Sequence, residues 1–325
     1  MTKEFTFESA IAPYIEGFIE EKHLQGYKYL NEAKWMKKFD EYWIVHGYGK
    51  TGLTIENLNQ WRQKRDCEGT KCQATRITVI RQFSMYLNGL GIPSYFPPID
   101  VRYTKPLIHV LCDEELSALF KEIDSYHPLR GSADTRRMSA GYPVLFRLIY
   151  CCGLRISEAC NLPAANIDLA NGTVTILDGK GNKDRLIHLS EDLKQLCIRY
   201  FAHLCNDLLE KPVWFFPGTD KHKPIPDGTV RKRFDACWNQ TAYAAQCNRK
   251  PTVHSLRHTY VVKRLNLWMK QCLDLDHMLP YLIRFLGHKS FNETLYYYHF
   301  VEEAAQIIQQ KDMTIDKVIP EVIRR

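Results

Sequence analysis

The chain has 325 residues, 45% of them hydrophobic and 25% charged, and its formal net charge of +7 comes from 44 basic and 37 acidic residues. This is the composition of a globular protein, at a length that suits two domains. No stretch approaches the about 20 apolar residues that span a bilayer, and the N-terminal MTKEFTFESA carries acids and lacks the apolar segment of a secretory signal. We therefore expect a cytoplasmic protein with no membrane partner.

The eleven cysteines are odd in number, and no two of them have CxxC spacing. This pattern favours reduced thiols in a reducing compartment. His254 and His258 have the i, i+4 spacing of a zinc-binding helix, but no glutamate follows His254 as it would in a metalloprotease. The sequence therefore predicts no metal site.

Hydrophobic periodicity predicts four N-terminal helices, at residues 7–22, 28–45, 54–65 and 70–88. Thr54 is the expected N-cap of the third. Six basic residues against two acids lie between residues 62 and 81, where polar residues separate the basic ones of the fourth helix. Such a face is either merely solvated or lies in a DNA major groove and neutralises phosphates. The candidate DNA-binding residues here, and in a second basic cluster, are Lys71, Arg76, Arg81, Arg231 and Arg233.

Residues 93–108 contain four prolines, which excludes a helix and predicts a linker. The acids of residues 113–115 then mark a helix start, because they suit the positive end of the helix dipole. Residues 172–177 and 185–189 alternate as hairpin strands should, around a glycine-rich turn at 178–184. Most of the remaining chain has helical patterns, so we predict a mainly α fold with a small antiparallel β-sheet (α+β).

Four stretches of the second half carry the residues with chemical potential: CGLRISEACNL, GKGNKDR, HSLRHTY and LGHKSFNETLYYYHF. In this order and spacing they resemble the GLRxSE, HxLRHT and LGH–tyrosine motifs of the tyrosine recombinase (phage integrase) family. The resemblance covers about residues 107–312, and more loosely the N-terminal bundle. It implies a helical-bundle core-binding domain at 1–92, a linker at 93–108, a catalytic domain at 109–312 and a C-terminal tail at 313–325.

The resemblance also chooses among the three consecutive tyrosines. The family nucleophile lies nine residues after the LGH histidine and two before another histidine. Counting from His288 gives Tyr297, with His299 at the expected offset. Tyr296 and Tyr298 lie about 100° to either side on a helix, so we expect them to pack, with Tyr298 the nearer rival.

The family's chemistry explains the other residue types. The resemblance implies that Arg155 and Arg257 neutralise the two non-bridging oxygens of a phosphodiester with forked hydrogen bonds. His254 and His288 would donate to the charge that develops on phosphorus, and one of them would also accept the phenolic proton.

The leaving sugar 5′-oxygen needs a general acid, which the resemblance assigns to Lys180. Lys183 is its local rival and is otherwise a phosphate contact. Glu158 either orients a site residue or is a plain surface acid. His258 matches a common but non-catalytic family position, so we expect it to be structural.

The implied reaction uses no cofactor, neither metal nor ATP. A 3′-phosphotyrosyl link forms, a 5′-hydroxyl of the partner duplex attacks it, and strands exchange through a Holliday junction. The expected partners are double-stranded DNA, three further protomers in a tetramer, and accessory DNA-bending or directionality proteins. The amphipathic helix at 301–311 and the apolar residues after it either dock on a neighbouring protomer or fold back on their own domain.

Two other functions compete. One is a catalytically inactive DNA-binding accessory protein on the same fold, which the complete catalytic set disfavours. The other is a type IB topoisomerase-like enzyme, which the N-terminal bundle disfavours.

Two departures from the family pattern bear on the biological role. Thirty residues separate Arg257 from His288, more than is common in the family, and the extra length falls near residues 265–280. It either reaches DNA or a partner, or lengthens a helix pair. Residues 126–142 also resemble an extended loop. Both features favour an integrase or transposase of a mobile element over a chromosome-dimer resolvase.

Overall fold

The computed structural model describes residues 5–101, 108–128, 131–177, 184–288 and 290–300, with His299 described for its backbone alone. The chain divides into two compact units, Met1–Pro106 and Leu107–Arg325. The boundary falls inside the predicted linker, of which residues 102–107 lie outside the described part. Among the described residues, no helix is long and apolar enough to cross a membrane.

The described part of the first unit forms four helices, α1 to α4, at Ala12–Leu24, Leu30–Val45, Ile55–Arg62 and Thr70–Gly89. Helix α3 starts where the sequence predicts, because Thr54 and Asn57 form a reciprocal capping box. The core of the unit is aromatic, with Phe18, Phe39 and Phe83 fully buried. Phe39 packs edge-on against Trp61, with ring centroids 5.0 Å apart.

The described part of the second unit contains eight α-helices around a small sheet. Helices α5 to α12 lie at Asp113–Asp124, Ala133–Cys151, Ile156–Cys160, Glu191–Leu208, Asp227–Gln240, Val253–Lys270, Leu275–Leu286 and Phe291–Leu295. Two 3-10 helices lie at Ala164–Asn166 and Tyr296–Phe300. One apolar core unites α5 to α9 with the sheet. A smaller one joins α10, α11 and the second 3-10 helix.

The sheet has three antiparallel strands in chain order: β1 (Ile167–Asp168), β2 (Thr173–Ile176) and β3 (Arg185–His188). The predicted hairpin is β2 and β3, where Val174 faces Ile187 and both side chains are buried. Strand β1 is only two residues long, too short for its sequence to alternate visibly. Residues 178–183 of the hairpin turn lie outside the described part.

The expected loop at residues 126–142 is largely wrong, because α6 starts at Ala133 after the N-cap Ser132. Tertiary contacts stabilise this helical start. Arg137 is buried and donates to the Gly218 carbonyl at 2.7 Å. Gly141 lies so close to Tyr200 that a Cβ there would stand 3.0 Å from its hydroxyl.

The extra length before His288 forms a longer helix pair. Residues 265–270 complete α10, residues 271–274 make the connection, and residues 275–280 begin α11. Val261 and Leu265 of α10 pack with Leu282 and Leu286 of α11 in the smaller core. Of the two structures expected for this segment, the described residues therefore show the extended helix pair.

Candidate active site

The first candidate arginine is fixed by the start of α7. The Arg155 backbone N–H donates to Glu158 Oε2 at 2.8 Å, and its Nη1 donates to Glu158 Oε1 at 2.8 Å. Its Nη2 donates to the Gly287 carbonyl at 2.9 Å. The guanidinium therefore links the GLRxSE motif to the LGH motif, far apart in the chain.

The second candidate arginine is almost completely buried. Arg257 of α10 is 1% exposed, and it donates to the Gly153 carbonyl at 2.5 Å and to the Leu286 carbonyl at 2.8 Å. Burial, and next the charge of Arg155, lower the pKa of Arg257 to about 10, so it stays charged at neutral pH. Arg155 and Arg257 thus bind adjacent carbonyls at the end of α11.

Two glycines make this arrangement possible. Gly153 and Gly287 have φ values of +59° and +62°, in the left-handed region where glycine alone has no steric cost. A Cβ on Gly287 would lie 2.9 Å from Arg185 Nη1, and one on Gly153 would lie 2.8 Å from Leu286 Cδ2. The glycines of both motifs therefore shape the backbone whose carbonyls hold the arginines.

Glu158 is a buried hub, which excludes the surface-acid alternative. It also binds Arg185, whose Nη1 and Nη2 donate to its Oε1 and Oε2 at 3.1 and 2.6 Å. Burial by itself would raise the pKa of Glu158, but hydrogen bonds and charge from Arg185, then from Arg155, lower it to about 2. The sequence reasoning missed Arg185; its only signal was a basic residue directly after the lysine-bearing turn.

The candidate nucleophile is buried and hydrogen-bonded. Tyr297 lies in the 3-10 helix Tyr296–Phe300, is 4% exposed, and has its hydroxyl 2.8 Å from Nδ1 of His258. Burial raises the pKa of Tyr297 to about 12, although Arg257 and Arg155 act in the opposite direction. The sequence reasoning assigned His258 a structural place and did not foresee this contact.

Two further histidines lie beside this pair. His288 is 7% exposed, with its ring parallel to that of Tyr297 and the centroids 6.4 Å apart. Its Nδ1 is 2.7 Å from Thr294 Oγ1. His254 is exposed at the first turn of α10, and its ring centroid is 4.3 Å from that of His258. The structure therefore brings His254, His258, His288 and Tyr297 together.

The two neighbouring tyrosines differ from Tyr297. The Tyr296 ring packs against Phe300 at 5.6 Å between centroids. Tyr298 is partly buried against the smaller core. The described contacts give neither hydroxyl a histidine partner of the kind that Tyr297 has.

Two predicted lysines cannot be placed, because Lys180 and Lys183 lie outside the described residues. Their expected roles remain predictions from the sequence. The described chain does place the anchor of their turn, since Arg185 is the first residue of β3 and is held by Glu158. Among the described residues, no group of three or more His, Cys, Asp or Glu side chains could hold a metal ion.

The predicted basic face of α4 needs a correction. Arg76 is fully buried. It binds Glu68 with Nε–Oε1 and Nη2–Oε2 distances of 2.8 and 2.6 Å, and its Nη1 donates to the Trp61 carbonyl. A step of five residues turns a helix by about 140°, so residues 71, 76 and 81 cannot share one face. Contrary to the sequence expectation, Arg76 has a structural place inside the bundle.

The other candidate DNA-binding residues differ in accessibility. Lys71 and Arg231 are exposed, the latter 3.9 Å from Asp227. Arg81 is partly buried, donates to the Pro97 carbonyl and lies 3.9 Å from the Phe96 ring centroid. Arg233 lies 3.4 Å from the ring centroid of Tyr126 and donates to its hydroxyl at 2.6 Å, so intramolecular contacts already hold its guanidinium.

Comparison with known proteins gives one family. The sequence model of the phage integrase family matches residues 109–303, more than half of the chain. A tyrosine recombinase of Agathobacter rectalis is 25% identical over 248 residues, 74% of each chain. The tyrosine recombinase XerD of Rhizobium meliloti is 25% identical over 321 residues, 94% of this chain and 96% of the relative.

A solved structure shares the fold. The XerH site-specific recombinase, bound to its palindromic difH substrate after cleavage, matches with a TM-score of 0.62 at 20% identity. The match covers 87% of this chain and 79% of that one. With the family match, this confirms the expected mainly α recombinase fold with its small sheet. The chain belongs to the phage integrase family, and it is a tyrosine-type site-specific recombinase.

Proposed function

We propose that this recombinase cleaves and rejoins double-stranded DNA, with Tyr297 as the nucleophile. The observation that carries the proposal is the meeting of Arg155, Arg257 and Tyr297 at one place. The arginines bind the neighbouring carbonyls of Leu286 and Gly287, and both act on the pKa of the phenol. Two guanidiniums this close repel each other, so an anion such as a phosphodiester would be bound favourably between them.

The chemistry follows from the charges. A phosphodiester resists a nucleophile because its two non-bridging oxygens are negative, and two fork-shaped guanidiniums neutralise both. As the Tyr297 oxygen attacks, charge builds on phosphorus, and preorganised donors stabilise it. His254 and His288 are the proposed donors. The product is a 3′-phosphotyrosyl link.

The leaving 5′-oxygen must take up a proton, because a sugar alkoxide is too basic to depart alone. Lys180 is the proposed general acid. Glu158 supports this assignment by fixing Arg185 at the base of the lysine-bearing turn. Lys183 stays the alternative acid and is otherwise a phosphate contact.

We propose double-stranded DNA as the partner, as for the XerH relative, whose structure contains its DNA substrate. The first unit would serve as the core-binding domain, with Lys71 and Arg81 near phosphates, and the second unit would add Arg231. Four protomers would assemble on two DNA sites, with accessory proteins setting direction, in the cytoplasm. The tail that would dock between protomers falls in residues 301–325, outside the described part.

The biological setting has two candidates. The long spacing before His288 favours a mobile-element integrase or transposase, as the sequence suggested. The similarity to XerD over 94% of the chain favours a recombinase of chromosomal sites instead. Plasmids carrying either the ends of a neighbouring element or paired sites from the chromosome terminus separate the two, because only the correct pair recombines.

Three phenylalanine variants test the nucleophile. A nicked duplex that releases its cleaved fragment traps the covalent adduct, which a denaturing gel reveals. We expect Tyr297→Phe to form no adduct while it still binds the duplex. Tyr296→Phe and Tyr298→Phe are matched controls and should keep adduct formation within a few-fold of wild type. An adduct with the Tyr297→Phe protein would refute the assignment.

A further inference from the structure

We propose that His258 is a catalytic residue, and that it accepts the proton of Tyr297 as the phenol attacks DNA. This inference rests on the proposed function, because it requires Tyr297 to be the nucleophile. The carrying observation is the 2.8 Å contact between His258 Nδ1 and the Tyr297 hydroxyl. A general base must lie within hydrogen-bonding reach of the proton that it removes.

The geometry distinguishes His258 from the other two histidines. The structure gives the Nδ1 of His288 to Thr294, at 2.7 Å. His254 lies one turn before His258 and is exposed at the start of α10. With its own proton on Nε2, His258 accepts the hydrogen bond from the phenol at Nδ1.

The surroundings keep this imidazole neutral. Burial, then His254, Arg257 and His288, lower the pKa of His258 to about 3, so its lone pair is available at neutral pH. On the Tyr297 side, Arg257 and Arg155 favour the phenolate, whereas Tyr296 and Glu293 oppose it. A bound phosphate adds negative charge beside these arginines. It therefore raises the pKa of His258 and strengthens the base when DNA is in place.

The step balances without a further reactant. The Tyr297 oxygen forms a bond to phosphorus while its proton moves to Nδ1 of His258. The bond from phosphorus to the 5′-oxygen breaks, and that oxygen takes a proton from the general acid. In rejoining, the 5′-hydroxyl attacks, and His258 returns its proton to the departing phenolate.

A sulfur leaving group isolates this role from that of the general acid. In a duplex whose scissile 5′-oxygen is replaced by sulfur, the thiolate leaves without protonation. Loss of the base should then slow cleavage with either leaving group, by about 100-fold or more. Loss of the acid, tested with Lys180→Ala, should slow only the oxygen substrate.

Two variants separate proton transfer from positioning. His258→Gln retains a hydrogen-bonding side chain without basicity, and His258→Ala removes both. We expect both to show the large loss, and their cleavage rates to rise about tenfold per pH unit, since hydroxide must replace the base. Putting 3,5-difluorotyrosine at position 297, whose phenol is more acidic, should recover much of the rate. His277→Ala, at an exposed histidine, is the matched control.

Each outcome decides something. Adduct formation by wild-type protein and none by Tyr297→Phe first establishes the underlying reaction; without it, the proposed function itself fails. Given that reaction, full activity of His258→Gln, an unchanged pH profile or no gain from the fluorinated phenol would overturn the role of His258. Melting temperature and DNA affinity close to wild type show that the variants are folded.

Discussion

Arg155 and Arg257 are held by backbone carbonyls at one place, with one buried carboxylate close by, on Glu158. The motif letters alone identified both arginines and Tyr297, because spacing from a glycine or histidine fixes them along the chain. Arg185 and His258 could not be found that way. Their partners are 27 and 39 residues distant, so only the folded chain reveals the contacts.

Replacing Glu158 should show how far this site depends on one carboxylate. Glu158→Gln leaves Arg155 and Arg185 without their counter-charge, so we expect the free energy of unfolding at pH 7 to fall by about 3 kcal/mol. The pKa of Glu158 is lowered from 4.5 to about 2 in the fold. Its stabilising contribution is therefore complete above pH 4.5 and is lost as the pH falls towards 2.

Urea unfolding at several pH values measures this effect. The difference between wild type and Glu158→Gln should shrink steadily from pH 5 to pH 2. Glu191→Gln, at an exposed glutamate 3.8 Å from Lys194, should change stability by less than about 0.5 kcal/mol. A difference that does not vary with pH would contradict the assigned charge state of Glu158.

At the scale of elements, helices were predicted well where an apolar stripe and a cap agree. Helix α4 covers Thr70–Gly89, against a prediction of 70–88. Helix α6 was missed at its N-terminal end, where Arg137 and Gly141 look like loop residues and only contacts with distant segments reveal their burial. Strand β1 was missed because two residues carry no period.

Helix α4 also yields a contrast between two basic residues. We expect Arg76→Met to lower the free energy of unfolding by 3 kcal/mol or more, roughly, because Glu68 remains buried without its partner. Lys71→Met should leave stability within about 0.5 kcal/mol but weaken DNA binding and reduce its salt dependence by about one ion. Chemical denaturation and salt-titrated binding measure both. Equal stability of the two variants would contradict the buried place of Arg76.

At the scale of the whole molecule, each unit has its own core. Phe83 is fully buried in the first unit, and Phe146 in the second. We expect Phe83→Ala and Phe146→Ala each to cost about 3–5 kcal/mol in the unit that contains it. Hydrogen exchange followed by mass spectrometry should show lost protection within that unit. Loss of equal size in both units would mean that the chain unfolds as one cooperative body.

The most direct test of the central claim is the identity of the residue joined to DNA. Wild-type protein is incubated with nicked duplexes from the DNA that flanks its gene, without added metal. The adduct is digested, and the modified peptide is sequenced by mass spectrometry. The account predicts a nucleotide on Tyr297. Attachment at Tyr296 or Tyr298, or no adduct when the duplex is bound and the nick lies at a proven site, would contradict it.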